Sequence, residues 1–276
     1  MHESIGVLGG DLRHYHVYKL LQKEKARVKI YGFDSLCPND SLEEVLNSRK
    51  LLLPIPVSRD NKNILSLYAS EDIPIASVKN DIGRDTVVYG GIFCESLSDI
   101  PQTKIDYYQN ENFTRYNALL TAEGALNTIM NNSERALRGC RILIIGFGRI
   151  GKYLAGIFSG LGVSVTVSAR KEADFDRIQA MGLPYIHTEK IHQADLRYDV
   201  ILNTVPARLF DSEALKRLPD SCLFVELASK PYSLDIELAR QSGVNVINAQ
   251  GLPSSYAPAS CARALLSLLK GGDSNG

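Results

Sequence analysis

Three glycines with a fixed spacing are the clearest chemical signal in the sequence. Gly146, Gly148 and Gly151 follow a short apolar run at residues 141–145 and lie at the start of a helical pattern. A strand, a tight turn and a helix N-terminus in this order offer unpaired N–H groups and a positive dipole end to phosphates. The pattern therefore predicts a dinucleotide-binding turn, although a glycine-rich turn without a ligand is the alternative. Its predicted members are Gly146, Phe147, Gly148, Arg149, Ile150 and Gly151.

The next predicted strand, residues 163–167, leads into a hydroxyl and two cations. Ser168, Arg170 and Lys171 stand where an NAD site usually places an Asp or Glu for the ribose hydroxyls. Hydroxyl and guanidinium groups suit the 2′-phosphate of NADP instead. We therefore expect these residues to favour NADP(H), while an exposed basic turn without a ligand is the alternative.

Polar residues also follow the fourth predicted strand of this half, residues 199–203. They are Asn203, Thr204, Val205 and Pro206. Carboxyl ends of strands face the ligand crevice in open α/β sheets, so we expect these four residues to contact the cofactor. Loop capping and turn geometry are the alternative roles.

A second glycine motif lies near the N-terminus, where the residues GGDLR at 9–13 follow an apolar run. It lacks the third glycine of a dinucleotide fingerprint. A helix N-cap explains Asp11 at least as well as a catalytic role does. Arg13 falls in the first helical turn, where a cation opposes the helix dipole, so an anionic ligand would explain it.

Strands that alternate with helices surround these motifs. The first half has short apolar runs that predict a flavodoxin- or Rossmann-like parallel α/β sheet. The second half has six predicted strands, typical of a doubly wound dinucleotide-binding (Rossmann) domain. The predicted organisation is an N-terminal substrate and catalytic domain at residues 1–112, a connecting helix at 113–138 and an NADP-binding domain at 139–276.

The composition is that of an ordinary globular protein. Of 276 residues, 45% are hydrophobic, and 31 Lys and Arg balance 31 Asp and Glu, which argues against nucleic-acid or anionic-membrane binding. No apolar run approaches the roughly 20 residues of a membrane helix, and residues 1–4 lack a signal-peptide pattern, so we expect a cytoplasmic protein. Five cysteines and five histidines form neither C-x-x-C nor H-E-x-x-H, so no metal site is predicted.

These motifs, in this order, resemble the A-type subunit of bacterial dipicolinate synthase. The resemblance spans nearly the whole chain and also includes Asn117, the residues TAEG at 121–124, LASKP at 227–231 and GLP at 251–253. It implies NADP-dependent oxidation of a dihydro- or hydroxytetrahydrodipicolinate to dipicolinate (pyridine-2,6-dicarboxylate) during sporulation, in the mother-cell cytoplasm. It also implies the flavoprotein-like B-type subunit of dipicolinate synthase as partner, and a homo-oligomer is compatible with it.

The implied reaction needs a base that accepts a proton and cations that hold two carboxylates. The candidate base or acid groups are Asp11, His14 and Glu123, and the candidate carboxylate anchors are Arg13 and Lys230. We expect the substrate to lie between the two domains.

The chain departs from the family pattern at the predicted substrate edge. It has Lys230-Pro231-Tyr232-Ser233 where Arg-Pro-Gly-Gly is usual, Ser254 where a glycine is common and Ala259 where a lysine is frequent. These departures affect the expected form of the substrate rather than the fold.

Two other functions remain open at this point. A D-2-hydroxyacid dehydrogenase has the same two-domain plan, but it needs a histidine late in the cofactor domain, and none follows His192. A non-catalytic NADP-binding subunit of a complex is the other alternative.

Overall fold

The computed structural model describes residues 4–271, so residues 1–3, which belong to the N-terminal segment considered above, lie outside it. The described chain divides into two compact units, residues 4–117 with 253–271 and residues 118–252. The long helix that starts at Glu111 begins in the first unit and ends in the second. No helix of the described chain is long and apolar enough to cross a lipid bilayer.

The first unit is built on a five-stranded parallel sheet with the order β2-β1-β3-β6-β7. Its strands are β1 (Ile5–Leu8), β2 (Val28–Tyr31), β3 (Lys50–Leu52), β6 (Val87–Gly90) and β7 (Lys104–Asp106), with a small antiparallel pair of β4 (Asn63–Ile64) and β5 (Ile73–Pro74). Its helices are α1 (Leu12–Lys23), α2 (Leu42–Leu46), α3 (Ile75–Val78), the start of α4 (Glu111–Asn132) and α10 (Pro258–Leu269). This is the flavodoxin-like order, in which the strand order reverses between β1 and β3.

The second unit contains a six-stranded parallel sheet with the order β10-β9-β8-β11-β12-β13. Its strands are β8 (Arg141–Ile145), β9 (Ser164–Ala169), β10 (Tyr185–His187), β11 (Val200–Asn203), β12 (Leu223–Glu226) and β13 (Asn245–Asn248). Its helices are the rest of α4, α5 (Arg149–Gly160), α6 (Glu172–Ala180), α7 (Ser212–Lys216) and α8 (Ile236–Gln241), while α9 (Leu252–Ser255) starts at its end. In chain order this is the 3-2-1-4-5-6 arrangement of a doubly wound domain, which confirms the predicted fold class.

The central strand β8 shows why this sheet has two apolar faces. Ile142 and Ile144 pack in the cluster that contains Leu154 and Phe158 of α5. Leu143 and Ile145 pack in the opposite cluster with residues of α7 and α8. Because successive side chains of a strand point to opposite faces, a four-residue apolar run fits a strand that helices cover on both sides.

The last helix, α10, is a correction to the predicted domain limits. The sequence pattern assigns residues 253–276 to the cofactor domain, but α10 packs against α1 of the first unit. There the Lys50 Nζ donates to the carbonyl of Leu269 at 2.7 Å, and Lys270 pairs with Glu24 at 2.6 Å. An amphipathic pattern predicts a helix with one apolar face but does not identify the surface against which that face packs. The periodicity of residues 258–269 therefore could not predict the packing of α10 on α1.

Candidate functional site

The glycine loop between β8 and α5 has a geometry that requires glycine at two of its three glycine positions. Gly146 has a φ of +97°, and a Cβ there would lie 2.5 Å from the Thr204 Oγ1. A Cβ on Gly151 would collide with the carbonyl oxygen of Gly146. Gly148 is the N-cap of α5, no side chain caps the helix there, and the space beside Gly148 is open. The loop therefore leaves a helix N-terminus accessible to a phosphate group, which is the arrangement that a dinucleotide requires.

The other predicted members of this loop differ in exposure. Phe147 is buried in the core, with the Lys152 Nζ 5.4 Å from the centre of its ring. Arg149 is exposed and Ile150 is half-buried. Phe147 therefore fixes the loop to the core of the second unit, while the side chain of Arg149 is exposed to solvent.

Ser168 supports the glycine loop from inside. The N–H of Gly146 donates to the carbonyl of Ser168 at 3.1 Å and to its Oγ at 3.2 Å. The same Oγ lies 3.0 Å from the hydroxyl of Thr188, and Ser168 has no exposed surface. In this structure, Ser168 therefore has no surface with which to contact a 2′-phosphate, which differs from the sequence-based expectation. Its hydroxyl instead stabilises the glycine turn by accepting from the Gly146 N–H.

Arg170 and Lys171 occupy the carboxyl end of β9 as expected. Both are exposed, and neither side chain has a hydrogen bond or an ion pair with any residue that the structure describes. The first turn of α6 that follows carries Glu172 and Asp174. This edge therefore carries two unpaired cations next to two acids, and the four charges cancel. A preference for a 2′-phosphate would thus depend on direct contact with the Arg170 guanidinium rather than on the net charge of the edge.

Asn203 belongs to a buried network rather than to the surface of the crevice. Its Nδ2 donates to the Glu226 Oε1 at 2.6 Å and to the carbonyl of Val205 at 2.9 Å. Glu226 also accepts from the N–H of Ala228 and, at 3.0 and 2.7 Å, from the N–H and hydroxyl of Ser233. Four donors thus satisfy a fully buried carboxylate, as a buried acid requires.

This network joins the carboxyl ends of β11 and β12 and fixes the loop that carries Lys230. Sequence reasoning did not identify Glu226, although a carboxylate that ends an apolar strand was a usable signal.

Among the remaining predicted contacts, Thr204 supports the turn by donating from its Oγ1 to the carbonyl of Ile145 at 2.8 Å. Val205 is half-buried and Pro206 is exposed at the same edge.

In the first unit, the GGDLR motif forms the turn from β1 into α1, next to the point where the strand order reverses. Gly10 has a φ of +117°, and a Cβ on it would lie 2.5 Å from the His14 Cγ. The glycine therefore lets the imidazole fold back over the helix start. The His14 Nδ1 lies 3.3 Å from the backbone nitrogen of Asp11, and the two residues form a capping box.

Asp11 and Arg13 form a buried ion pair within this turn. The Arg13 Nη2 lies 2.6 Å from the Asp11 Oδ2, and the Nε lies 3.0 Å from the Oδ1. Arg13 is 5% exposed and Asp11 is 4% exposed, and the Nη2 also donates to the carbonyl of Ile55 at 3.2 Å. The anion that explains a cation in the first turn of α1 is therefore Asp11 itself, and no ligand is needed to account for Arg13.

The surroundings of Asp11 make it a weak base. Burial alone would raise the pKa of this carboxyl, but the hydrogen bond with His14 and the charge of Arg13 outweigh burial and hold the pKa well below its usual range. A carboxylate of such low basicity is poorly suited to accept a proton near neutral pH. Asp11 therefore fits the roles of helix cap and ion-pair partner.

The lowered pKa of Asp11 predicts a loss of stability in acid. A carboxyl group whose pKa is lowered by folding stabilises the fold at pH values above the pKa of the unfolded state, which is ordinarily 3.8 for Asp. This stabilisation is lost progressively as the pH falls from that value towards the lower pKa of the folded state. The difference in unfolding free energy between the unmodified protein and Asp11→Asn should therefore shrink between roughly pH 5 and pH 2. Urea titrations across that range measure it, and a pH-independent difference would contradict the assignment.

His14 is fully buried and connects Asp11 to a tyrosine. Its Nε2 lies 3.4 Å from the hydroxyl of Tyr107, which donates to the carbonyl of Leu53 at 3.1 Å. Burial raises the pKa of Tyr107 well above its usual value. Both ring nitrogens of His14 thus have polar neighbours inside the first unit.

The two remaining predicted catalytic residues lie in the second unit. Glu123 is half-buried on α4, and its carboxylate accepts no hydrogen bond from the described residues. Lys230 is exposed after β12, with its Nζ 5.8 Å from the centre of the Tyr232 ring. Within residues 4–271, no group of three or more His, Cys, Asp or Glu side chains is arranged to hold a metal ion.

Two family models match consecutive parts of the chain. Residues 4–108 match the N-terminal domain of the dipicolinate synthase A-type subunit. Residues 109–231 match the NAD binding domain of D-isomer specific 2-hydroxyacid dehydrogenases. The second match covers the glycine loop and supports a nicotinamide dinucleotide as its ligand, in agreement with the open helix N-terminus at Gly148.

Similar proteins agree with both matches. The dipicolinate synthase A-type subunit of Bacillus subtilis (strain 168) is 25% identical over 96% of this chain and 94% of its own length. The crystal structure of the dipicolinate synthase A-type subunit from Bacillus halodurans, 26% identical, superposes with a TM-score of 0.84 over 98% of this chain and 97% of that one. The NAD-complexed D-isomer specific 2-hydroxyacid dehydrogenase from Lactobacillus delbrueckii ssp. bulgaricus, 12% identical with a TM-score of 0.51 over 98% of both chains, shares the fold. Along nearly its whole length the chain is therefore similar to dipicolinate synthase A-type subunits, and its residues 109–231 match a dehydrogenase-type domain for a nicotinamide dinucleotide.

Proposed function

We propose that this protein is an NADP-dependent oxidoreductase that converts a dihydro- or hydroxytetrahydrodipicolinate to dipicolinate. The observation that carries the proposal is the match of residues 4–108 to the N-terminal domain of the dipicolinate synthase A-type subunit, followed directly by a match to a dehydrogenase NAD-binding domain. The glycine loop supports it, because the loop leaves the helix N-terminus of α5 open to a pyrophosphate. The family also suggests a role in sporulation, in the cytoplasm of the mother cell.

The chemistry of the proposed reaction balances with one oxidised cofactor. A hydroxylated tetrahydro ring first loses water, and the resulting dihydropyridine then loses one hydride and one proton to become the aromatic diacid. When bound, the nicotinamide ring supplies the hydride acceptor. The protein must provide the proton acceptor, the groups that hold two carboxylates and a fixed orientation of the ring.

We assign the role of proton acceptor to Glu123. Asp11 is disfavoured because its pKa lies well below the usual range of a carboxyl group. His14 has no exposed surface, and both its ring nitrogens have polar neighbours. Glu123 is only half-buried and accepts no hydrogen bond from the residues of the described chain, so its carboxylate remains available.

A second protein is part of the proposal. The relatives with the same domain arrangement carry the name of one subunit of dipicolinate synthase, so a B-type subunit, which we expect to be flavoprotein-like, completes the synthase. The proposal includes neither nucleic acid nor membrane as a partner. Homo-oligomerisation is compatible with it.

The test of the function is an absorbance assay with freshly generated dihydrodipicolinate and oxidised cofactor, with and without the B-type subunit. We expect reduced nicotinamide and dipicolinate to form in equal amounts. A panel of D-2-hydroxy acids serves as a control for the related dehydrogenase activity. Turnover of a D-2-hydroxy acid without turnover of dihydrodipicolinate would contradict the proposal and indicate a hydroxyacid dehydrogenase. Tight NADP binding without turnover, both with and without the B-type subunit, would favour a non-catalytic role.

Cofactor preference gives a separate prediction. Arg170 is exposed at the end of β9, and a charge-assisted hydrogen bond to a 2′-phosphate contributes about 1.5–3 kcal/mol. We expect at least a roughly tenfold preference for NADP(H) over NAD(H), which Arg170→Ala should largely remove while NAD(H) affinity stays nearly constant. Calorimetric or fluorescence titrations with both cofactors measure this preference.

The acids that follow provide a matched control. Glu172→Gln removes one negative charge near the same edge and should raise NADP(H) affinity slightly, with the effect weakening as salt increases. Equal affinity of the unmodified protein for the two cofactors would show that Arg170 does not contact the 2′-phosphate.

A further inference from the structure

An open cleft in the second unit is not used by the cofactor site described above. Its volume is about 770 Å³, and its walls include Arg208, Lys230, Tyr232 and Asn248, with Arg240 at α8. Arg208 follows the carboxyl end of β11, Lys230 and Tyr232 follow that of β12, and Asn248 ends β13, which is the side of an open α/β sheet where ligands bind. The volume falls in the range of roughly 300–1,000 Å³ that small-molecule sites occupy.

The charges of this cleft are unevenly paired. Asp235 caps α8 by accepting from the N–H groups of Glu237 and Leu238, both at 3.1 Å. Glu237 pairs with Arg240 at 3.2 Å. Arg208 and Lys230, in contrast, have no hydrogen bond or ion pair with any residue in the described part of the chain. Arg208 and Lys230 are therefore both available to the carboxylates of a ligand, while the remaining acid of the cleft, Asp235, accepts from the N-terminus of α8.

The loops that carry these cations are tied to each other. The N–H groups of Leu209 and Phe210, which directly follow Arg208, donate to the carbonyl of Ser233 at 2.8 and 2.9 Å. Ser233 in turn donates to the buried Glu226 from both its N–H and its hydroxyl. Because these bonds hold the backbone on both sides, little conformational entropy remains to be lost when a ligand binds.

Tyr232 supplies an aromatic ring to the wall of the cleft. Its hydroxyl accepts from the Asn248 Nδ2 at 3.3 Å and lies 3.4 Å from the Gln250 Oε1. The Gln250 Nε2 donates to the carbonyl of Ala228 at 2.6 Å, which fixes that side of the cleft. The Lys230 Nζ lies 5.8 Å from the centre of this half-buried ring, so a planar ring that stacks on Tyr232 would place a carboxylate near Lys230.

We propose that this cleft binds a flat dicarboxylate, with its carboxylates on Arg208 and Lys230 and its ring against Tyr232. Arg208 is then a specificity-determining residue that the sequence motifs did not reveal, while Lys230 keeps its predicted role as a carboxylate anchor. The inference deepens the proposed function and rests on it for the choice of dipicolinate as the ligand. The binding itself is measurable without turnover.

The experiment titrates the full chain with dipicolinate by calorimetry, in the absence of cofactor. Arg208→Met should weaken binding about tenfold, and Lys230→Met should have a similar effect, because each removes one charge-assisted contact. Pyridine-2-carboxylate, which lacks one carboxylate, should bind the unmodified protein about tenfold more weakly. Arg177→Met is the matched control, since Arg177 is an exposed arginine of α6 outside the cleft and should leave binding unchanged.

Several results would overturn the assignment. They are equal dipicolinate affinity in Arg208→Met and the unmodified protein, an equal loss in Arg177→Met, and equally effective competition by inorganic phosphate. If dipicolinate fails to bind while NADP-dependent turnover is observed, the cleft assignment fails and the proposed function stands. If Arg208-dependent binding is found without turnover, the cleft assignment stands and the proposed function fails.

Discussion

Arg13→Ala should lower the free energy of unfolding by about 3–5 kcal/mol, because it leaves the buried carboxylate of Asp11 without its cation. Such a loss reaches the size of the whole stability of many domains, so part of the variant is expected to be unfolded at about 37 °C. Chemical denaturation followed by circular dichroism measures the difference.

The double variant Asp11→Ala/Arg13→Ala separates the buried charge from the other contacts of these residues. It removes both charges, so it should be more stable than Arg13→Ala even though it also loses the helix cap, which is typically worth about 1 kcal/mol. If the double variant were less stable than Arg13→Ala, the unpaired carboxylate would not be the cause of the loss.

The chain contains a matched control for this ion pair. Asp195 and Arg197 have the same two-residue spacing and a similar bidentate geometry, with distances of 2.9 and 3.0 Å, but both are largely exposed. Because water screens an exposed pair, Arg197→Ala should leave the unfolding curve almost unchanged. A similar loss in both variants would mean that burial is not the source of the effect at Arg13.

The second unit was predictable because its signals are local. Two of the three glycines of the loop have a geometric reason of their own, namely a positive φ at Gly146 and the close packing of Gly151 on the Gly146 carbonyl. A β-strand before them and a helix after them lie within a few residues of the sequence. The strand order then follows from the alternation of strands and helices, which has few solutions in a parallel sheet.

The missed features depend on residues that are distant in the sequence. Ser168 is predicted as a surface donor, but its hydroxyl lies against Thr188, 20 residues later. The partner of Asn203 is Glu226, 23 residues away on the neighbouring strand. Such pairings depend on sheet register, which a single sequence does not specify at the level of side chains.

Arg13 illustrates a different limit. The sequence showed correctly that a cation in the first turn of α1 needs an anion, but it offered a bound ligand as the source. The anion stands only two residues earlier, in Asp11. A capping aspartate can serve the helix N–H groups and a guanidinium at once, and only the rotamers of the two side chains reveal that it does.

The largest effect on activity is expected from Glu123→Gln. Loss of a general base lowers turnover by about 10²–10⁴-fold, and glutamine keeps the size of the side chain while removing its ability to accept a proton. We expect kcat to fall by at least about a hundredfold, with NADP(H) affinity and the unfolding curve nearly unchanged. Steady-state assays with fresh dihydrodipicolinate, together with a cofactor titration and a denaturation curve, measure the three quantities.

Glu134→Gln provides the matched control, since Glu134 is an exposed acid that follows α4 and undergoes the same change of charge. It should keep full activity. The pH profile distinguishes a base from a structural residue: the rise of kcat with pH that reports deprotonation of a base should be present in the unmodified protein and in Glu134→Gln but absent from Glu123→Gln. If Glu123→Gln retains both its kcat and its pH profile while His14→Gln loses them, the proton goes to His14, and the full burial of that imidazole must then be relieved when the substrate binds.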